Sequence, residues 1–126
     1  MSYSTMQGQT AAQAYQAIEK TATSPRELEA IILTKAAAKF QIIINDWAEH
    51  KKDLKNALSY NQKLWTIFVA NATDPESELP LGLRNNIANL GIFVFKRTHE
   101  LRADPNKKNL EILASINREL AAGLRS

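Results

Sequence analysis

Apolar residues recur along this chain at intervals of three and four, the period of helices that pack through one face. The pattern is densest in the middle. Leu54, Ala57, Leu58, Asn61, Leu64, Trp65, Phe68 and Ala72 fall on one side of a helix, while Tyr60, Gln62, Lys63 and Thr66 fall mostly on the other. This stretch predicts the centre of the core. Asn61 is the polar exception within the stripe. A buried carboxamide must find hydrogen-bond partners, so it constrains how neighbouring helices dock.

The same period continues on both sides. Ser24-Pro25 followed by Glu27 is a helix start, with a capping hydroxyl, a proline at the first position and the acid of a capping box. The helix it opens is expected to run to about Glu49, burying Leu28, Ile32, Leu33, Ala36, Ala37, Phe40, Ile43, Ile44 and Trp47. Ile42-Ile43-Ile44 has β-propensity, but the helical pattern runs through it. The charged segment from Asp46 to Asp53 is expected to hold the break, with Asp53 capping the central helix. A polar loop over residues 73–78 then places three acids ahead of the next helix, where the dipole favours them.

That helix is expected from Pro80 to about Arg102. Leu83, Ile87, Leu90, Val94 and Leu101 form its stripe, and Ala88, Ile92, Phe93 and Phe95 add apolar surface beyond it. Gly91 lies in mid-helix, at a cost of about 1 kcal/mol against alanine, which calls for a close approach by a neighbour. Asp104 is expected to cap a last helix begun by Pro105, carrying Leu110, Leu113, Asn117, Leu120 and Leu124 on one face, with Gly123 marking fraying near its end. At the other terminus Thr10 can cap a helix reaching about Ala22, its small apolar face made by Ala11, Ala14, Tyr15 and Ile18. The expected architecture is all-α: a single-domain bundle of about five helices over residues 10–126, preceded by a polar leader over residues 1–9.

Composition narrows the function classes. The 126 residues include no Cys, so no disulfide framework, thiolate zinc site or cysteine nucleophile is available. Net charge is +3, and the basic residues cluster only as pairs, Lys51-Lys52, Lys96-Arg97 and Lys107-Lys108. Direct nucleic-acid binding usually gathers positive charge into one face or tract, so nucleic acid is not expected as a direct partner. The N-terminus lacks an apolar signal region, and no window reaches the roughly 18 consecutive apolar residues of a membrane span. A soluble cytoplasmic protein without membrane contact is the expectation.

Little in the sequence suggests chemistry. His50 and His99 stand on different helices, neither with a partner at metal-ligand spacing. Glu27 and Glu29 belong to a helix start, and Asp74, Glu76 and Glu78 to a loop, so capping and solubility account for both groups. Four scattered glycines cannot build a phosphate-cradling loop. No enzyme activity, cofactor or metal is expected. Trp65 has two readings, core packing beside Phe68 and a partner-facing anchor of the kind found at interface hot spots. Arg84, near the start of its helix, can lie on the surface or close on a buried Asn or a helix C-terminus. Asn61 and Asn117 read as interhelical polar contacts, and Phe93 belongs to the apolar surplus of its helix. These five residues are the candidates for partner binding or interhelical contact.

Four segments, in this order, carry a resemblance: AYQAIEKTATSPRELEA (Ala14 to Ala30), ALSYNQKLWTIF (Ala57 to Phe68), LPLGLRNNIANLGIFV (Leu79 to Val94) and INRELAAGL (Ile116 to Leu124). An NxxLW element followed by LPxxLR and INRxxxxGL resembles the flagellar biosynthesis regulator FlaF family over nearly the whole chain after Thr10. The resemblance implies a small, cytoplasmic, all-helical, non-enzymatic protein that supports flagellin synthesis and secretion. It implies flagellin as partner, with the protein acting as an export chaperone, and association with a second regulator, FlbT, which acts on flagellin messenger RNA. A helix-in-groove mode would suit the amphipathic terminal segments of unassembled flagellin. The groove is expected on the surplus of Ile87 to Phe95, or between that helix and the last one. The competing reading is direct binding of flagellin mRNA, alone or with FlbT, through a patch gathered from Lys51, Lys52, Lys55, Lys96 and Arg97. The sequence leaves oligomeric state and stoichiometry open.

Overall fold

A computed structural model describes Gln13 and residues 24–126. The leader expected over residues 1–9 and the helix expected from Thr10 to Ala22 lie outside the described residues, Gln13 excepted. The rest is all-α, as expected, with no strand among the described residues. Among the described residues four long helices carry the fold: α1 (Pro25–Asn45), α3 (Leu54–Thr73), α4 (Leu81–Ala103) and α5 (Lys107–Arg125), with a single-turn α2 (Trp47–His50) between the first two.

Each boundary has a local cause. The Ser24 hydroxyl accepts from the Glu27 amide at 3.1 Å, and Pro25 occupies the first turn, where its missing N–H costs nothing. α1 ends at Asp46, whose backbone leaves the helical region (φ −142°, ψ 70°). Trp47 therefore does not extend the α1 face; it opens α2 and is only half-buried. A 3-10 turn over Lys51–Asp53 leads into α3.

Two expected boundary roles are corrected. Asp53 makes no side-chain capping bond to α3; its carboxylate instead lies 3.2 Å from His50 Nδ1. The last helix is capped by Asn106, not Asp104, and starts at Lys107 beyond Pro105. Asn106 Oδ1 accepts from the Asn109 amide at 2.8 Å, while Asp104 ends α4. Gly123 lies in the last turn of α5, which continues to Arg125. A third correction concerns Glu29, which is buried at 6 % exposure and so is not a solvated capping acid.

Polar contacts fix the directions of the helices. Arg84 at the start of α4 reaches the end of α3, and Arg102 at the end of α4 reaches Ser59 and Gln62 near the start of α3. Arg125 at the end of α5 pairs with Glu27 at the start of α1 at 3.5 Å. The four long helices thus run alternately up and down. The core between them is centred on Trp65, Phe40 and Phe68, with Trp65 and Phe68 packed edge to face at 5.9 Å. On the α1–α3 side, Lys39 lies 4.8 Å from the centroid of the Tyr60 ring, and burial pushes the Tyr60 phenol above its ordinary pKa. The expected close approach at Gly91 is made by α3: a Cβ there would run into Val69 and lie 3.9 Å from the Trp65 ring.

Candidate functional site

Asn61, Trp65 and Asn117 are all fully buried and form one hydrogen-bonded chain. Trp65 Nε1 donates to Asn117 Oδ1 at 2.9 Å, and Asn117 Nδ2 donates to Asn61 Oδ1 at 2.8 Å. Asn61 and Trp65 are one turn apart on α3, so a single side chain of α5 bridges both. This chain sets the register of α5 against α3, because sliding either helix would bury unpaired polar groups. Asn61 Nδ2 is buried without a partner, so the network already carries one unsatisfied donor. Trp65 thus lies inside the molecule, away from its surface.

Arg84 performs a different task. Its Nε donates to the Ala72 carbonyl at 2.7 Å and its Nη2 to the Asp74 carbonyl at 2.9 Å. The last carbonyls of a helix lack intrahelical donors and carry the negative end of the dipole, so a guanidinium is well matched to them. The start of α4 is thereby fastened to α3. Its other end is fastened to α5, where Arg97 Nη1 donates to Asn109 Oδ1 at 3.1 Å. The same guanidinium lies 4.8 Å from the centroid of the Phe93 ring.

Held in this way, α4 and α5 meet close to the turn that joins them and leave an opening at the far end. Leu83, Asn86 and Leu90 of α4 form one wall of a groove of ≈ 220 Å³. Ile116, Leu120 and Gly123 of α5, with Glu119 at the edge, form the other. A side chain at Gly123 would meet nothing within 4 Å, so the glycine widens this end of the groove. Phe93 follows Leu83, Asn86 and Leu90 at helical spacing on the same flank and is 38 % exposed. Ile92, 70 % exposed, lies on the outer side of α4, while Ile87 and Val94 are buried. The apolar surplus over Ile87 to Phe95 is therefore divided between core and surface.

The five candidates from the sequence have distinct places. Asn61, Trp65 and Asn117 lie under the groove's supporting helices, Arg84 anchors one wall, and Phe93 continues that wall into solvent. The expected basic patch assembles only in part. Lys51, Lys52 and Lys55 share a second cavity with Arg102, which sequence reading did not include, whereas Arg97 is engaged by Phe93 and Asn109. Asn86, Glu119 and Gly123 of the groove were also outside the expected site; of these only the glycine, inside a helical repeat, carries a signal, the open surface its missing side chain leaves. Among the described residues no cluster of potential metal ligands occurs, and no helix is long and apolar enough to cross a membrane.

The family model described as flagellar protein FlaF matches residues 11–124. No curated protein and no solved structure matches the chain.

Proposed function

This chain belongs to the flagellar protein FlaF family, and from that premise we propose that it is a cytoplasmic flagellin-binding chaperone that regulates flagellin synthesis and secretion without catalysing a reaction. Membership gives it a flagellar role. The observation that carries the finer reading is the groove between α4 and α5, apolar on both walls and open along one flank of each helix. An amphipathic helix of unassembled flagellin would lay its apolar face between Leu83 and Leu90 on one side and Ile116 and Leu120 on the other, screening it from aggregation. No cation is among the described residues that line the groove, so the contact would be mainly hydrophobic and only weakly salt-dependent.

The test is association of the purified protein with purified monomeric flagellin at micromolar concentration. The wild type is expected to form a complex, and Leu90→Glu to lose it while staying folded, at a cost of about 1 kcal/mol because Leu90 is half-buried against the core. No association of the wild-type pair would remove the chaperone reading. Steeply salt-dependent binding to flagellin mRNA, with none to flagellin, would replace it with the RNA-binding reading.

A further inference from the structure

The other end of the bundle holds a cavity of different character, formed where the 3-10 turn and the start of α3 face the end of α4. Its volume is ≈ 380 Å³. Lys51, Lys52 and Lys55 approach it from one side and Arg102 from the other, and no acidic residue is among the described residues that line it. Leu54, Leu58 and Pro105 supply apolar surface between these cations.

Four like charges around one opening repel each other, most strongly where water is displaced from between them. Lys52 is partly relieved by Glu49 at 3.7 Å in an exposed pair. Among the described residues Arg102 bonds only to the neutral Ser59 and Gln62 side chains. Neither Lys51 nor Lys55 has a carboxylate at ion-pair distance among the described residues. The opening therefore carries largely unneutralised positive charge around an apolar floor and is complementary to an anionic partner with an apolar tip.

We infer that this cavity is a docking site for an acidic segment of a partner protein, one that inserts an aliphatic side chain between the lysine stems and presents carboxylates to Lys51, Lys55 and Arg102. The lysine and arginine stems would pack on the inserted side chain while their charged ends stay at the rim. A nucleic acid fits less well. Single-stranded binding sites use aromatic platforms for the bases, and no aromatic ring is among the described residues that line this cavity. The site lies at the opposite end of α4 from the flagellin groove and does not depend on that reading.

A suitable probe is a synthetic helical peptide of about 15 residues with leucines on one face flanked by glutamates. Amide NMR shifts of the full chain would be followed in titrations with this peptide, with the same peptide carrying lysines for the glutamates, and with single-stranded RNA. The acidic peptide is expected to shift Lys55, Leu58, Leu101 and Arg102 saturably, with an affinity that falls as salt rises. Lys51→Glu with Lys55→Glu should weaken it by about tenfold or more while the melting curve stays unchanged, because both side chains are exposed. Leu90→Glu should leave it intact. Absent shifts with the acidic peptide, equal shifts with the lysine peptide, or stronger shifts of the same amides by RNA would each overturn the inference.

Discussion

α5 shows its neighbours two unlike flanks. Ala114 and Ala121 of α5 and Ala30 and Ala37 of α1 are all at 2 % exposure or less. Small residues let helix axes approach closely, and among the described residues α1 and α5 form the most extensive helix pairing. Toward α4 it presents Ile116, half-buried, and Gly123, exposed, and the pairing there is sparse. Small side chains thus have opposite consequences on the two sides. Alanine against alanine closes the first flank, whereas glycine facing a diverging helix opens the second. The difference lies in what holds α4: Arg84 commits its first turn to the end of α3 and so keeps it from closing on α5.

The most severe way to break the closed side is Trp65→Ala. The ring is fully buried against Phe68, and its N–H satisfies Asn117, the residue that positions α5. Loss of about 3–5 kcal/mol is expected in urea denaturation, from the cavity together with the unpaired Asn117 carbonyl. If the protein kept near-native stability and lost only partner binding, Trp65 would act at the surface and the closed side would need a different anchor.

Next in size is Arg84→Met, which keeps much of the aliphatic stem and removes both bonds to the α3 carbonyls. Hydrogen bonds from charged donors contribute about 1.5–3 kcal/mol, so a loss toward the lower end is expected for a half-buried pair. The informative readout is local. Amide hydrogen exchange should accelerate in the last turn of α3 and the first turn of α4, and stay unchanged along the α1–α5 seam. Uniform acceleration would mean that Arg84 stabilises the whole bundle and does not specifically hold the groove open.

These two residues also mark how far the sequence could be read. The helices were legible because their apolar positions repeat at intervals of three and four, and burial of Leu54, Leu58, Leu64, Trp65 and Phe68 follows that repeat. Helix ends were less legible. Asp104 and Asn106 are equally good capping side chains, and only the path of the turn decides that Asn106 reaches a free amide. The space between the fourth and last helices was readable as a place for a groove, but its walls were not. They depend on a contact between Arg84 and carbonyls ten and twelve residues earlier, across a loop, which no periodicity encodes. Lys51, Lys52 and Lys55 were readable as neighbours, whereas Arg102 joins them only through the antiparallel return of α4.

The smallest effects test the comparison most directly, because one substitution can be made on both kinds of surface. Alanine for glycine inside a helix contributes about 0.5–1 kcal/mol of stability when the new methyl group has room. At Gly123 it has room, since nothing lies within 4 Å of the added Cβ, and the backbone is already helical. Gly123→Ala is therefore expected to raise stability by a few tenths of a kcal/mol, reduced from the interior value because the site is in the last turn. At Gly91 the same methyl group would strike Val69, a β-branched side chain with little freedom to turn aside, so overpacking of about 1–3 kcal/mol outweighs the gain. Opposite signs in paired urea titrations would establish that α4 is pressed onto α3 and stands away from α5. If Gly123→Ala were also destabilising, α4 and α5 would close together in solution, and the groove proposed for flagellin would have no space to offer.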